Sequence, residues 1–386
     1  MHSLFVCDKG NEDILEAYIT DMSDAKNVTK VTQGCLFDVQ TPELIPLVYF
    51  NQLSIKQFVL ITSFEYNSET LSADLLEHTK DTDFSEWLDE NHSFKVICKI
   101  PNEDTQKIAK EFGTYVFNKH ESFTVQMKRP SVEIRIQHLD GKIYVCYDLT
   151  GQNDEKREYK IFNSPTALRS TVAASLVYDI DDDEVLLDPF CGSGTILIEA
   201  ALLKSKRSHH FYLKDEFALK RMKPFEEYDL DEILADIDTD ITTDTSKIIG
   251  ADILAKCVDS SKKNAKIAGV LKQVNIFRAD VDWIDMKFED EPVDIIVTSP
   301  PLFSQQNMDK VCKTYQQFFK RVVRILSEDG EVRILTNNPT KVIELSENTF
   351  AKHSTHEISM GKTPLTLVTF KEIQIPQKKD AKVNDE

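Results

Sequence analysis

The feature that most constrains the fold of this chain is a turn between an apolar run and a helix-forming run. Val185-Leu-Leu ends at Asp188, and Pro-Phe-Cys-Gly-Ser-Gly-Thr195 follows, then Ile-Leu-Ile-Glu-Ala. This order predicts a buried strand, a glycine-rich turn and a helix that begins near Gly194. Gly192 and Gly194 allow a ligand to approach the backbone, and the start of the helix offers unpaired N–H groups. The turn is neither a Walker A loop nor a G-x-G-x-x-G sequence.

From Pro165 onward, predicted strands and helices alternate, which is typical of a parallel α/β sheet. The predicted strands are residues 185–188, 248–252, 274–278, 293–298 and 331–336. The predicted helices are residues 194–204, 256–268, 309–326 and 340–348. Two last strands, 356–360 and 365–372, follow each other without a helix, so we expect the sheet to end in an antiparallel hairpin.

Asp252 ends the second apolar strand of this half. An acid there can accept hydrogen bonds from both ribose hydroxyls of a nucleoside, or it can cap the next helix. Its place after the glycine-rich turn favours ribose binding. Asp252 is separated from the glycine-rich turn by more than the ~20 residues usual in dinucleotide folds. Nine acidic residues and no Lys or Arg lie within 226–245, and we interpret this stretch as a solvated insertion without chemistry.

Two further signals follow the next two strands. Asp280 is a candidate to bind an adenine amino group, and the alternative is an ordinary surface acid. Ser299, Pro300 and Pro301 follow residues 293–298. Two prolines stiffen the loop and remove backbone donors, so carbonyl groups project from it. The alternative is a rigid loop that only ends a strand.

The first 150 residues predict a mixture of strands and helices. The first 50 residues fit a strand at 3–7, a helix at 12–19, a hairpin at 28–39 and a helix at 41–49. Further strands fit residues 57–66, 93–100, 132–138 and 142–148, with a helix at 104–116. Asp104 is a plausible N-cap for that helix, and Asp140-Gly141 predicts a tight hairpin turn.

The formal net charge of −19 argues against nucleic acid as a partner, because phosphate contacts need Lys and Arg. The charge is unevenly distributed, however. Residues 90–130 carry seven basic and five acidic side chains, and residues 309–324 carry five basic and one acidic. The candidate RNA-binding residues are Lys95, Lys99, Lys107, Lys110, Lys119, Lys128, Arg129, Lys310, Lys313, Lys320, Arg321 and Arg324.

Cysteine usage and hydropathy predict a reduced, cytoplasmic protein. The seven cysteines are scattered and include no C-x-x-C pair, so neither disulfides nor a zinc site is expected. Apolar runs are far shorter than the ~20 residues of a membrane helix. The first residues lack the features of a signal peptide. Cys191 has no neighbour that would activate a thiolate, so we interpret it as a packing residue.

The sequence resembles the THUMP-domain RNA methyltransferases that methylate the 2-amino group of guanine in tRNA or large-subunit rRNA. The glycine-rich turn is similar to the first motif of class I methyltransferases that act on base amines. The resemblance covers nearly the whole chain, and an archaeal tRNA member is most similar in size and layout. It includes Phe84-Ser-Glu-Trp-Leu, Pro130-Ser-Val-Glu-Ile-Arg-Ile, Tyr147-Asp-Leu-Thr-Gly151, Arg157-Glu-Tyr-Lys160 and Ser164-Pro-Thr-Ala-Leu-Arg.

The resemblance implies an α/β protein with an α+β region before its catalytic domain. The implied parts are a ferredoxin-like part (1–55), a THUMP domain that grips the tRNA 3′ end (56–150), a linker (151–164), a seven-stranded Rossmann-like domain that ends in an antiparallel hairpin (165–373) and a charged tail (374–386). It also implies tRNA or rRNA as substrate, and we expect a monomer without metal or membrane attachment.

The resemblance further implies S-adenosylmethionine as cofactor and direct in-line transfer to a base amine. A helix beginning near Pro165 could cover the methionine half of the cofactor. The implied cofactor-binding residues are Pro165, Leu168, Asp188, Phe190, Gly192, Gly194, Thr195, Asp252, Asp280 and Ser299. The implied catalytic residues are Ser299, Pro300 and Pro301, and we add Phe303 as a further catalytic candidate.

One motif departs from the family. The family has [ND]-P-P-Y-G where this chain has Ser299-Pro-Pro-Leu-Phe303. A serine hydroxyl is a weaker acceptor than a carboxylate or amide, and Leu302 cannot stack on a base. Phe303 is the candidate to stack instead. Two alternatives follow: an RNA-binding protein with little or no catalysis, or a methyltransferase for adenine N6 or cytosine N4.

Overall fold

The computed structural model describes residues 1–151, 157–163, 167–243, 247–288, 292–361 and 363–374. These residues form two compact units. The first unit comprises Met1–Lys160, Arg169–Tyr178 and Leu202–Thr243, and the second comprises Ile161–Leu168, Asp179–Ala201 and the chain from Asp244 onward. The chain therefore passes between the units several times.

The described residues form the following strands and helices in chain order. The strands are β1 (His2–Cys7), β2 (Lys26–Val31), β3 (Gly34–Asp38), β4 (Ser54–Glu65), β5 (Ser93–Lys99), β6 (Thr124–Val125), β7 (Val132–Leu139), β8 (Lys142–Asp148), β9 (Leu186–Asp188), β10 (Ile248–Asp252), β11 (Val274–Arg278), β12 (Val293–Thr298), β13 (Leu326–Thr336), β14 (Phe350–Met360) and β15 (Thr363–Ile373). The helices are α1 (Glu12–Met22), α2 (Thr41–Phe50), α3 (Leu71–His78), α4 (Thr105–Phe117), α5 (Ser170–Ser175), α6 (Thr195–Lys204), α7 (Leu230–Ile237), α8 (Ala255–Ala268), α9 (Met308–Val322) and α10 (Pro339–Ser346).

The first unit is built on one continuous sheet with the order β2-β3-β1-β4-β8-β7-β5-β6. Most neighbours are antiparallel, but β5 is parallel to both β6 and β7. The predicted turn between β7 and β8 is confirmed, and Asp140 and Gly141 have the positive φ values (48° and 78°) that such a turn requires. Asp104 caps α4 as predicted, because its carboxylate accepts a hydrogen bond from the Lys107 N–H at 3.1 Å.

The acidic stretch after α6 is not a solvated excursion, and that prediction is wrong. Its acidic side chains alternate with apolar ones at helical spacing, and the apolar ones enter the core of the first unit. Leu234 in α7 is fully buried, and Leu230 is 6% exposed. Phe217, Leu219 and Phe225, which precede α7, are buried in the same apolar cluster. Residues 202–243 are therefore part of the first unit.

The second unit contains a seven-stranded sheet with the order β11-β10-β9-β12-β13-β15-β14. Strands β9 to β13 are parallel, and β15 is antiparallel to both β13 and β14. The predicted mostly parallel sheet with an antiparallel hairpin at its end is confirmed. Helix α9 is shorter than predicted, because the Ile325 carbonyl accepts a hydrogen bond from the Val293 N–H and Leu326 already belongs to β13.

In the part of the chain that the structure describes, no helix is both long enough and apolar enough to cross a lipid bilayer.

Candidate cofactor and substrate site

Asp188 is a buried acid at the carboxyl end of β9. It is 2% exposed, and its Oδ1 accepts hydrogen bonds from Thr298 Oγ1 at 2.6 Å and from the Phe190 N–H at 3.1 Å. Burial, with a smaller contribution from the nearby Asp252, raises the pKa of this carboxyl to about 7. A carboxylate held in this way gains from a cationic ligand group close to it.

The glycine-rich turn and Asp252 lie side by side. Because β9 and β10 are parallel neighbours, their carboxyl ends lie at the same edge of the sheet. The Gly192 N–H donates to Asp252 Oδ2 at 3.0 Å, and the Leu254 N–H donates to Asp252 Oδ1 at 2.8 Å. The two strand ends that the sequence assigned to one ligand are therefore in direct contact.

Helix α8 packs closely against this turn. Gly194 has φ +83°, and a Cβ at that position would lie 2.1 Å from Ser261 Oγ in α8, so no larger residue fits. The fully buried Asn264 donates from Nδ2 to the Ser193 carbonyl at 3.0 Å. Its Oδ1 also accepts from the Phe162 N–H at 3.0 Å. Asn264 thus holds both the glycine-rich turn and the segment around Phe162, which precedes β9.

A small cavity of about 40 Å³ opens beside Asp188. It is lined by Ala167, Leu168, Asp188, Phe190, Cys191, Gly192, Ser193, Thr195, Ile196 and Ser299. The Ser193 hydroxyl is buried there without a hydrogen-bond partner among the described residues. Burial raises the pKa of the Cys191 thiol well above its ordinary value, which fits a packing role. Ser193 was not identified from the sequence, although its place between two glycines is a signal.

The cavity contains most of the residues predicted to bind the cofactor. Leu168 lies in it, whereas Pro165 lies outside the described residues. In the described residues that follow, helix α5 begins at Ser170, after Arg169 with an extended backbone.

Asp280 follows β11, the strand next to Asp252. Its Oδ1 accepts from the Asp282 N–H at 3.1 Å and so begins a short 3-10 turn, Val281–Lys287. The Ala279 N–H donates to the Asp252 carbonyl at 3.2 Å, which brings Asp280 to the same edge. Ile253 and Leu254 are 51% and 59% exposed beside it. These apolar side chains next to a polar edge were also missed from the sequence.

The loop after β12 is held by two asparagines. Asn337 Oδ1 accepts from the Phe303 N–H, and Asn337 Nδ2 donates to the Phe303 carbonyl, both at 2.9 Å. Asn307 Oδ1 accepts from the Ser304 N–H at 2.7 Å, and its Nδ2 donates to the Leu302 carbonyl at 3.1 Å. We call residues 299–304 the Pro-Pro loop. Its backbone is fixed on the side that follows Pro301.

The side chains of the Pro-Pro loop differ in exposure. Pro300 is buried, whereas Pro301 is exposed. The Ser299 hydroxyl makes a long contact of 3.5 Å with the Leu335 carbonyl. Phe303 is 7% exposed, and its ring stacks on Tyr315 with centroids 5.2 Å apart. In this arrangement, the Phe303 ring packs in the core and is not presented for stacking on a base.

The predicted RNA-binding cations differ in environment. Within the first unit, Lys95 is 11% exposed at its side chain and pairs with Glu133 at 2.8 Å, so it is an interior residue and not a surface contact. The exposed predicted residues of this unit are Lys99, Lys107, Lys110, Lys119, Lys128 and Arg129. In the second unit, Lys310, Lys313 and Lys320 are exposed, whereas Arg321 and Arg324 both contact Asp285 at 3.1 Å. Among the described residues, no group of three potential metal ligands occurs.

The sheet order, the glycine-rich turn after β9 and the acid after β10 together define a Rossmann-like class I methyltransferase domain. The protein-family model of the RMKL-like methyltransferase domain matches residues 157–367 of the sequence. The family model of the THUMP domain matches residues 72–148. The chain belongs to the RMKL-like methyltransferase family and carries a THUMP domain.

Individual proteins are similar to this chain in sequence or in fold. The chain is 29% identical over 339 residues to the tRNA (guanine(6)-N2)-methyltransferase of Methanocaldococcus jannaschii, covering 85% of this chain and 88% of that protein. A crystal structure of a protein described as a possible methylase of Clostridium difficile 630 has a TM-score of 0.81 at 22% identity, covering 97% and 99% of the two chains. A structure of SMU.472 complexed with SAH has a TM-score of 0.80 at 17% identity, covering 97% and 98%.

Proposed function

We propose that this methyltransferase transfers a methyl group from S-adenosylmethionine to the exocyclic N2 amine of a guanine in tRNA. The observation that carries the proposal is the contact between the Gly192 N–H and Asp252, which places a backbone cradle beside a carboxylate that is oriented by backbone N–H groups and suited to accept from ribose hydroxyls. The printed activity of the Methanocaldococcus jannaschii relative supplies the target base and the RNA class.

The residues at this edge suit the chemical groups of that cofactor. The Asp252 carboxylate would accept from ribose hydroxyls, and Asp280 with the exposed Ile253 offers a polar and an apolar neighbour for adenine. The buried Ser193 hydroxyl and the Asp188 carboxyl face the small cavity, where they would receive polar and cationic groups of the methionine end. When bound, S-adenosylmethionine supplies an electrophilic methyl group on a sulfonium.

The Pro-Pro loop would hold the amine that receives the methyl group. Its carbonyl groups lack competing backbone donors, because Pro300 and Pro301 have no N–H. The Ser299 hydroxyl and these carbonyls are acceptors suited to an NH₂ group. Their contribution is alignment of the amine nitrogen, which can supply much of the rate acceleration. A guanine within a stem would first leave its stack.

RNA docking would use the exposed cations, especially those of the THUMP-containing unit. Lys99, Lys107, Lys110 and Lys128 are exposed in that unit. Phosphate contacts of this type release counterions, so tRNA affinity should fall steeply as salt rises. Affinity that stays constant between low and moderate salt would exclude them as the main RNA contacts.

The direct test is incubation of the full chain with unmodified tRNA and S-adenosylmethionine labelled in its methyl group. The expected product after nuclease digestion is labelled N2-methylguanosine. A matched reaction with Asp252→Ala should leave the RNA unlabelled, whereas Asp259→Ala, an exposed acid on α8, should label it normally.

The serine of the Pro-Pro loop favours two alternatives that the same assay separates. Labelled N6-methyladenine or N4-methylcytosine would overturn guanine as the target. An absence of label in every RNA and DNA, with cofactor binding retained, would instead indicate an RNA-binding protein without activity. A Ser299→Asn variant that methylates guanine at least as fast as the wild type would show that serine replaces the family's amide in the same role.

A further inference from the structure

A cavity of about 490 Å³ lies in the first unit, and the residues that line it are different from those proposed to bind the cofactor. It is formed by the start of β7, the end of β8 and the segment 209–222, which belongs to the stretch that enters the core of this unit. This volume is within the usual range for small-molecule sites. Its residues include charged groups, and their pairing indicates the charge that a ligand should carry.

The floor of the cavity is a chain of buried ion pairs across neighbouring strands. Asp148 is fully buried and contacts Lys56 at 3.4 Å and Arg135 at 2.5 Å. Glu133 contacts Arg135 at 3.1 Å and Lys95 at 2.8 Å. Three cations thus neutralise Asp148 and Glu133, the two buried carboxylates among the acids that line the cavity. Buried carboxylates paired in this way do not leave the cavity negative.

Arg221 has no such partner among the residues that the structure describes. Within the described part of the chain, it contacts no carboxylate, its Nη1 makes a long contact of 3.4 Å with the Glu216 carbonyl, and its Nε is buried without an acceptor. Glu216 itself pairs with Arg129. Burial, and then repulsion from Arg129, lowers the pKa of Arg221 below its ordinary value. An anion in the cavity would relieve both effects.

The surroundings of Arg221 leave room for a ligand. A side chain at Gly151 would come within 3.8 Å of Arg221 Nη2, and Gly151 has φ +72°, a conformation that favours glycine. Lys56 Nζ donates hydrogen bonds to the Gly151 carbonyl and to the Thr150 hydroxyl, each at 2.8 Å. The guanidinium is therefore bordered by a small, fixed turn. Glu158 at the rim is exposed and screened by solvent.

We propose that this cavity binds a phosphate group of the RNA substrate, with Arg221 as its main contact and Arg129 at its rim. The proposal rests on the proposed RNA methyltransferase function. Arginine suits phosphate, because its planar donors can form two parallel hydrogen bonds with phosphate oxygens. The cavity would fix the register of the RNA at a distance from the reacting base, since phosphate contacts position a nucleic acid without reading its sequence.

The test is equilibrium binding of an unmodified tRNA transcript to the full chain at several salt concentrations. Arg221→Gln should weaken binding about tenfold and reduce the slope of log affinity against log salt by about 0.7 to 0.9. The matched control is Lys142→Gln, which removes one positive charge from an exposed hairpin of the same unit and should leave both values unchanged. Arg221→Lys should give intermediate affinity, because it keeps the charge and loses the second hydrogen bond.

Three results would overturn the proposal. The first is Arg221→Gln binding tRNA as tightly as the wild type does. The second is an equal loss with both variants, which would indicate general charge. The third is thermal stabilisation by inorganic phosphate that depends on Arg221, together with unchanged tRNA binding, which would assign the cavity to a free phosphate compound. The assay needs no methyl transfer, so a chain that binds tRNA through Arg221 but methylates no guanine would refute the proposed activity and not the cavity.

Discussion

The side-chain amide of Asn337 pairs with the backbone of Phe303, accepting from its N–H and donating to its carbonyl. Asn337 follows β13 and Phe303 follows β12, which are parallel neighbours. The pairing therefore connects the ends of two adjacent strands at the edge where the Pro-Pro loop begins. Since we propose that this loop aligns the amine with the cofactor, we also propose Asn337 as a positioning residue.

Asn337→Ala should lower kcat and leave cofactor affinity unchanged. A displacement of the loop by about 1 Å would cost up to about 100-fold in rate, because transfer depends on alignment. Asn337→Asp should also be impaired, since a carboxylate cannot donate to the Phe303 carbonyl. Steady-state kinetics and calorimetric cofactor titration measure the two effects. Asn348→Ala, at an exposed site, is the control, and a normal kcat for Asn337→Ala would remove the assigned role.

Phe303 should act through packing. Phe303→Leu keeps an apolar side chain against Tyr315, so we expect activity within a few-fold of the wild type and a modest loss of stability of about 1 kcal/mol. Base stacking is worth about 1–3 kcal/mol. A loss of more than about tenfold in kcat/KM, with unfolding unchanged, would show that the ring leaves Tyr315 and stacks on the target base.

Asp188→Asn should stabilise the chain at pH 8 and weaken cofactor binding. Because burial raises the folded-state pKa of Asp188 to about 7, the folded chain binds this proton more tightly than the unfolded chain. Its favourable contribution is present below pH 4 and is lost as pH rises through about 7. Asparagine keeps the acceptor for Thr298 and removes the charge, for a gain of about 2–4 kcal/mol. Unfolding free energies of both proteins at pH 5 and pH 8 measure the effect, and equal values at pH 8 would contradict it.

Asp252→Ala should weaken cofactor binding by about 100-fold or more. Two hydrogen bonds from ribose hydroxyls to a carboxylate are worth about 1.5–3 kcal/mol each. Asp280→Ala should cost about tenfold, because one of its oxygens already caps the 3-10 turn and one remains for the ligand. Calorimetric titration ranks the two variants. Cofactor affinity of Asp252→Ala equal to that of the Asp259→Ala control would exclude the ribose assignment.

Leu234→Ala should destabilise the first unit by about 2–5 kcal/mol, because the fully buried Leu234 side chain would leave a cavity in its core. Glu232→Ala on the exposed face of the same helix is the control and should change stability by less than about 0.5 kcal/mol. Chemical denaturation measures both. A Leu234→Ala variant as stable as the wild type would mean that residues 202–243 are peripheral after all.

The sequence predicted most of the second unit, because strong period and turn signals coincide there. Three strands have the predicted bounds, because each is a short apolar run that ends at a polar residue. They are Ile248–Asp252, Val274–Arg278 and Val293–Thr298. The predictions failed where a contact with a residue distant in the sequence determines the environment of a side chain. The residues next to Leu234 in the sequence do not indicate that it packs in the core of the first sheet. Those next to Lys95 do not indicate that it pairs with Glu133.

The packing role of Phe303 could not be predicted from its neighbours in the sequence, for the same reason. An aromatic residue after Pro-Pro could face a ligand or the core, and only Tyr315 in α9 and Asn337 after β13 decide between them. Arg221 belongs to no recognisable motif. Only the folded chain shows that, among the described residues, its Nε is buried without an acceptor.

The return of residues 202–243 to the first unit has a consequence for how the chain is made. During synthesis, β1 to β8 emerge early, but their core lacks Phe217, Phe225 and Leu234 until the ribosome has passed residue 243. A fragment that ends near residue 150 would expose the apolar surface against which these side chains pack. Transfer of the THUMP domain with its complete core into another protein would therefore require residues 202–243 as well.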